Sequence, residues 1–269
     1  MFLHHFRFAW RNLVKDRRFA ILNLTGLATG LACALLIWLW ISDEMGMDKF
    51  NEKDDRLYQV MQNMELSHGI ETMEYTAGLL ANGLAEEMPE VEYAATVIPA
   101  SWFSSPGIMS VGESKLKVKG QFISKDYFNI FSYRFLAGDK HQFQADKNAI
   151  AISDELAMKL FHTTDVVGKM IEWAQSEFNG PYIIKGVFVK NAANVSDNFD
   201  ALFNFDQFIA RRPGMEKWTN SDPNTYVLLK EGVDVDRFNA RIHDFMLSRD
   251  KGDKKTLFVR KFSDKYLYG

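Results

Sequence analysis

Six histidines, one cysteine and a run of carboxylates are the side chains from which catalysis or metal binding would have to be built. His4, His5, His68, His141, His162 and His243 form no HExxH and no other paired-ligand spacing, so no zinc site is predicted: His4 and His5 read as cytoplasmic and interfacial, and the other four as surface or loop residues. Cys33 lies inside an uncharged apolar run, which argues against a nucleophile, and no GxSxG is present. Asp43, Glu44, Asp48, Glu52, Asp54 and Asp55 invite a calcium ion, but they lack the EF-hand spacing and its glycine. They read instead as a solvated face. No glycine-rich loop ends in Gly-Lys-Ser/Thr, so ATP is not bound here by that motif. The NVS at Asn194 is a glycosylation signal only in a eukaryotic secretory setting. The sequence therefore predicts no catalytic, cofactor-binding or metal-ligating residue, and no cofactor.

The strongest physical signal is an uncharged stretch from Phe19 to Ile41. A helix of that length rises roughly 34 Å, enough to cross a hydrocarbon core of about 30 Å. Arg7, Arg11, Lys15, Arg17 and Arg18 precede it, and Asp43, Glu44 and Asp48 follow it. That asymmetry keeps the N-terminus cytoplasmic and puts everything from about Ser42 outside. A cleaved signal peptide is the rival reading, but its apolar region is shorter, about 7–15 residues. Cys33 after Gly30, Leu31 and Ala32 faintly resembles a lipoprotein cleavage site without the usual aliphatic residue three positions before it.

Before the span, Phe2, Leu3, Phe6, Ala9, Trp10, Leu13 and Val14 recur at helical spacing, with the basic residues on another stripe. This predicts an amphipathic helix over 1–18 lying on the inner leaflet, with Phe6, Arg7, Trp10, Arg11, Lys15, Arg17 and Arg18 at the membrane surface. Within the span, Gly26, Gly30 and Ala34 share one face and would let another helix approach closely. Trp38 and Trp40 mark the outer interface.

The exported part, 42–269, reads as interleaved strands and helices, hence α+β or mixed α/β. Strands are predicted over Arg56–Glu65, Val91–Ile98, Lys115–Ile123, NAIAIS, KMIEW, Tyr182–Val189, FDALFNF, TYVLLK and TLFVRKF. Helices are predicted over AGLLANGLAEEM, stopped by Pro89, over a short segment capped by Ser124, over DELAMKLF capped by Ser153, and over Val235–Leu247. WFSSPGIMSVGES reads as a loop or hairpin and NAANVSDN, 191–198, as a polar linker. With 269 residues, a net charge of -3 and a single cysteine, the chain can bury a sizeable core, has no basic footprint for nucleic acid and forms no intrachain disulfide.

Three stretches carry a resemblance: GQFISKDYFNIFSYRFLAGD (Gly120 to Asp139), AIAISDELAMKLF with DVVGKMI (Ala149 to Ile171), and YIIKGVFVKNAANVSDNFD (Tyr182 to Asp200). They resemble the periplasmic core domain of MacB/FtsX-type ABC-transporter permeases. WRNLVKDRRFAILNLTGLATGLACALLI, Trp10 to Ile37, is similar to the start of these permeases, and FNEKDDRLYQV follows as it does there. Two local departures are His162, where the family often has Gly, and Val166, where Pro commonly precedes the glycine kept as Gly168. The chain stops at SDKYLYG, before the three further transmembrane helices and the ATPase-coupling loop of such permeases.

The resemblance implies the first helix and exported domain of a larger permease, or a fragment of one, in a bacterial inner membrane. ATP hydrolysis in a separate cytoplasmic subunit would drive the exported domain against a substrate or a periplasmic adaptor, efflux being one such task. Partners would be that ATPase and further permease helices, in a homo- or heterodimer. The alternative is a single-pass sensor whose exported domain binds a ligand, although eighteen residues before the helix leave no room for a cytoplasmic output domain. A membrane-anchored enzyme is the third reading.

Overall fold

The computed structural model describes residues 17–190, 195–250 and 254–268, together with His5, Arg11 and Lys15. Helix α1 (Arg17–Glu44) brackets the predicted apolar run, and at 28 residues it rises roughly 42 Å. None of its residues is buried within the protein, so its leucines, Trp38 and Trp40 are exposed along its length. His5, Arg11 and Lys15 are helical, but Phe6, Arg7 and Trp10 of the predicted surface helix lie outside the described residues. The chain divides into two compact units, Met1–Met47 and Asp48–Gly269.

The second unit opens with β1 (Leu57–Leu66), β2 (Gly69–Met73), β3 (Tyr75–Ala77), α2 (Leu80–Glu87) and β4 (Val91–Ile98). Next come β5 (Gly107–Val111), β6 (Ser114–Val118), β7 (Gly120–Ile123), α3 (Tyr127–Ile130), β8 (Phe135–Gly138) and α4 (Lys140–Ala145). They are followed by β9 (Ala149–Ser153), α5 (Asp154–Phe161), β10 (Met170–Ala174), β11 (Gly180–Phe188), β12 (Ala201–Asn204) and α6 (Phe205–Arg211). The last elements are β13 (Ser221–Leu229), α7 (Val235–Ile242), β14 (Lys255–Lys261) and α8 (Lys265–Tyr268).

All the described strands join one mixed sheet with the path β14-β1-β13-β4-β7-β12-β9-β11-β10-β5-β6. The β7–β12 and β9–β11 pairs are parallel and the rest antiparallel, which places the unit in the mixed α/β class that the interleaved pattern predicts. Strands β1 to β4 with β13 and β14 form one lobe, and β5 to β12 are inserted into it as a second. The lobes meet where β4 pairs β7, through only Val97↔Ile123 and Ile98↔Phe122.

Strand alternation sorts the core. On one face α2 and α7 cover Val60, Ala94, Val227 and Val259 in the first lobe, and α5 and α6 cover Phe122, Ile150, Ile152 and Phe203 in the second. These are two separate clusters. On the opposite face a single cluster spans both lobes, from Leu57, Tyr226 and Leu228 through Tyr127, Phe131 and Tyr133 to Phe188 and Leu202. The domain is thus continuous on one side of the seam and divided on the other.

Several local expectations need correction. Ser124 does not cap α3: its Oγ accepts from Thr96 N at 2.9 Å, tying β4 to the end of β7, and Asp126 occupies the cap position. Lys115–Ile123 is two strands, because Lys119 leaves the hairpin partner β5 and the chain moves to β12. FDALFNF is not one strand. Asn204 caps a helix there through Asp206 N at 2.9 Å, and Phe205 and Phe208 turn into the core. Helix α7 ends at Ile242 rather than Leu247, although Phe245 and Met246 still pack inward as turns. Ser153 does cap α5, with Leu156 N at 3.1 Å. His162 ends α5 in the left-handed region at φ 58, a conformation that glycine takes without cost.

Candidate functional site

With no catalytic constellation predicted, the candidate site is the place where residues 48–53, which open the second unit, meet the inserted lobe. Asp48 begins the second unit at φ 59, a backbone that Asp tolerates better than most residues. It is 1 % exposed. Its Oδ1 accepts from Ser196 N at 2.8 Å and its Oδ2 from Ser196 Oγ at 2.6 Å. Asp48 is therefore not part of a solvated acidic face. Three residues on, Asn51 Oδ1 accepts from Ser132 N at 3.1 Å, Glu52 N donates to Ser132 Oγ at 3.0 Å, and Lys53 Nζ donates to Asn129 O at 3.2 Å. Phe50 packs edge-on against Tyr133. The segment from Asp48 to Lys53 is thereby fastened to α3, to the turn after it and to the linker at Ser196.

A second chain segment reaches the same linker. Lys265 Nζ lies 3.5 Å from Asp197 and 3.7 Å from Glu74, and Arg260 Nη2 bridges Glu74 at 3.0 Å and Gln59 at 3.3 Å. Phe262 stacks edge-on against Phe131 and Tyr226. Burial pushes the Asp197 carboxyl above its ordinary range, Lys265 draws it back in part, and nearby Asp48 adds to the rise. Asp197 keeps about 30% of its side chain open along one edge, so this reflects dense packing around the rest. Burial would raise Glu74 too, but Lys265 and then Arg260 and Gln59 outweigh it and hold it below its usual value. Tyr226 beside the ammonium is the first cause that raises Lys265, followed by Asp197 and Glu74. Burial pushes the Tyr226 phenol up to about 12. A lysine that stays charged thus sits between one carboxylate it secures and one whose charge is disfavoured.

Two openings flank the seam. One, of about 310 Å³, is a groove between α2 and α6 lined by Asn82, Glu86, Thr96, Ser124, Phe205 and Asp206. It fills the gap between the two separate clusters. The other, also about 310 Å³, lies between the 100–106 loop and the linker, with Gln121, Gln175 and Phe199 in its walls.

A family model for the MacB-like periplasmic core domain matches residues 20–245. The chain belongs to this family. The MacB-like fold is also seen in solved structures. A domain of a protein described as a permease from Porphyromonas gingivalis is 22% identical, with a TM-score of 0.66, over 79% of this chain and 93% of that one. The periplasmic region of MacB from Actinobacillus actinomycetemcomitans is 13% identical, with a TM-score of 0.55, over 78% and 90%. The extracellular domain of the ABC-type transporter YknZ from Gram-positive bacteria is 16% identical, with a TM-score of 0.54, over 76% and 99%. No curated protein matches the sequence. The chain thus carries a MacB-like periplasmic core domain.

The predicted site residues lie elsewhere in the MacB-like chain. Gly26, Gly30 and Ala34 follow one another along α1, and a Cβ at either glycine would meet nothing within 4 Å. Arg17 and Arg18 occupy the first turn of α1, and Trp38 and Trp40 are 63% and 65% exposed near its other end. His68, His141, His162 and His243 are all exposed. The Asp48, Ser196, Asp197, Lys265 and Glu74 cluster was missed because its members are far apart in sequence. The one available signal was a polar stretch, VSDN, between two strongly apolar strands, and polarity there fits a solvated loop equally well.

Proposed function

We propose that this chain is the first membrane helix and exported domain of an ABC-type permease, which carries motion from a separate cytoplasmic ATPase to a substrate or periplasmic adaptor outside a bacterial inner membrane. Residues 1–18 lie on the cytoplasmic leaflet with their basic residues at the headgroups, 19–41 span, and 42–269 are outside. Gly26, Gly30 and Ala34 are the face on which other permease helices pack, in a homo- or heterodimer. The carrying observation is the fastening of the Asp48–Lys53 segment to α3 and to Ser196, one residue from the Asp197 that Lys265 holds. Displacement of the membrane-proximal segment would reach both lobes through that cluster without crossing a flexible joint. The groove between α2 and α6, backed by the continuous cluster on the opposite face, is where the lobes can tilt about the short β4–β7 pairing.

Purification of the full-length product from native membranes tests this reading. An ATPase should copurify, and Gly30→Leu should weaken that association by crowding the helix face. A thiol placed at exposed Ser114 should react with a membrane-impermeant reagent added from outside. Absence of any ATPase under conditions that preserve complexes, or labelling of Ser114→Cys only after lysis, would overturn it.

A further inference from the structure

We propose that the free edge of β6 docks an extended acidic segment of a partner protein, which adds to the sheet as one more strand. β6 ends the sheet path and pairs only with β5 among the described strands. Gly112, at φ 57, and Glu113 make the two-residue turn between them, so Val111 and Ser114 bond to each other across the hairpin. By alternation Leu116 and Val118 also turn their backbone groups toward β5, and the N–H and C=O of Lys115 and Lys117 point away from it. At the other end of the path the edge is covered. Leu257 N donates to His243 O at 3.0 Å, and Val259 N to Asn239 Oδ1 at 2.8 Å. No described residue takes the outward groups of Lys115 and Lys117 in this way.

The side chains select the occupant. Lys115 and Lys117 are exposed on one face of β6, while Leu116 and Val118 pack into the core on the other. Their neighbours across the pairing with β5 are Ser110 and Ile108, so the sheet offers no carboxylate opposite either ammonium. Neither lysine makes an ion pair among the described residues. Lysines on an edge repel a second copy of that edge, and an uncharged strand would leave both of them unpaired. A strand with carboxylates at alternate positions answers both charges, so the same lysines that exclude other strands admit this one. Its main-chain bonds would supply affinity and its carboxylates the selectivity. The site is short, because Lys119 O accepts from Asp200 N at 2.9 Å and the chain there has left the edge for β12. A partner has only the five residues of β6 to match. This docking does not rest on the coupling reading above, and either can fail alone.

The full chain, in phosphatidylcholine nanodiscs, would be titrated by fluorescence anisotropy with the peptide Thr-Glu-Val-Glu-Val-Thr, labelled with fluorescein at its N-terminus and amidated at its C-terminus, and with its counterpart carrying lysine for glutamate. The acidic peptide should bind saturably and the basic one about tenfold or more weaker. Lys115→Glu combined with Lys117→Glu should reverse that preference, and because both side chains are exposed the core is left intact. Methylating the backbone nitrogens of the two glutamates removes the bonds of an antiparallel addition, and methylating those of the two valines removes the bonds of a parallel one. One of these should abolish binding and the other change it less than about threefold. The proposal is overturned if the acidic peptide does not bind saturably, if the double variant does not reverse the preference, or if the two methylations act equally, which would mean attraction by charge alone.

Discussion

The two lobes of the second unit are held together by different physics. The inserted lobe is built on rings: Phe122 packs against Phe178, Phe203 and Phe208 at 4.7, 5.1 and 5.2 Å, and Phe203 also meets Trp173 and Tyr182 at 4.9 and 5.1 Å. The first lobe has few buried rings on the corresponding face and is laced with ion pairs. Arg56 meets Glu92 and Arg241 meets Glu90 at 2.6 Å, Arg249 meets Glu87, and Lys255 meets Asp250 at 2.6 Å with both side chains 2% exposed. Aromatic packing is insensitive to salt and pH and depends on shape, whereas ion pairs depend on both. The first lobe is therefore the one whose stability responds to conditions.

The largest expected effects probe each lobe at its own centre. Phe203→Ala should cost about 3–5 kcal/mol in denaturant unfolding, because the cavity it leaves is walled by rings that cannot collapse into it. Lys255→Met should cost a comparable 3–5 kcal/mol, since it takes the ammonium from a buried carboxylate. The two differ in their rescue. Adding Asp250→Leu to Lys255→Met should restore most of the loss, as a buried ion pair replaced whole by apolar groups is often neutral. Equal loss in the double variant would erase the distinction between the lobes.

A smaller effect is expected at the cluster that joins them. Asp197 holds its proton to higher pH in the folded domain than in the unfolded chain. Below the ordinary carboxyl value near 4 it therefore costs nothing, and the folded state loses stability as pH rises through that range. Glu74 is shifted the other way, so its contribution is present above its unfolded value and disappears as pH falls through the folded one. Thermal melts between about pH 3 and pH 8 should show Asp197→Asn gaining on the wild type as pH rises and Glu74→Gln losing on it. Parallel curves for both variants would mean that the two carboxylates are not distinguished by the lysine between them.

The sequence made the periodic elements legible and left the junctions obscure. β4 is where VEYAATVI predicts it, and α5 follows its cap Ser153 with Asp154 and Glu155 in its first turn, because a short apolar run and an N-cap are local signals. β2 and β8 were not read, since GIETM is exposed up to a half-buried Met73 and FLAG is half-exposed, so neither has a buried face for its pattern to follow. Asn204 ended a strand and began a helix within one apolar run, where propensity alone cannot mark the change. The candidate site was least legible. Asp48 and Ser196 are far apart in the chain, and nothing in a polar loop announces which hydroxyl will meet a carboxylate.

The smallest expected effect sets the lower bound of the comparison. Arg237 and Asp234 also form an ion pair, at 3.4 Å, but the arginine side chain is 89% exposed. Water and salt screen such a pair, so Arg237→Ala should shift stability by less than about 0.5 kcal/mol. Arg56, 18% exposed, donates from the same nitrogen to Glu92 and to the Leu229 carbonyl at 3.0 Å, which fastens the start of β1 to the end of β13. Arg56→Ala should cost about 1.5–3 kcal/mol, because the charge-assisted bond to a part-buried carbonyl is lost with the pair. Raising salt should shrink the Arg237 effect toward zero and leave most of the Arg56 effect in place. If the two arginines proved equal, it would be the number of charges, and not their burial, that distinguishes the first lobe from the inserted one.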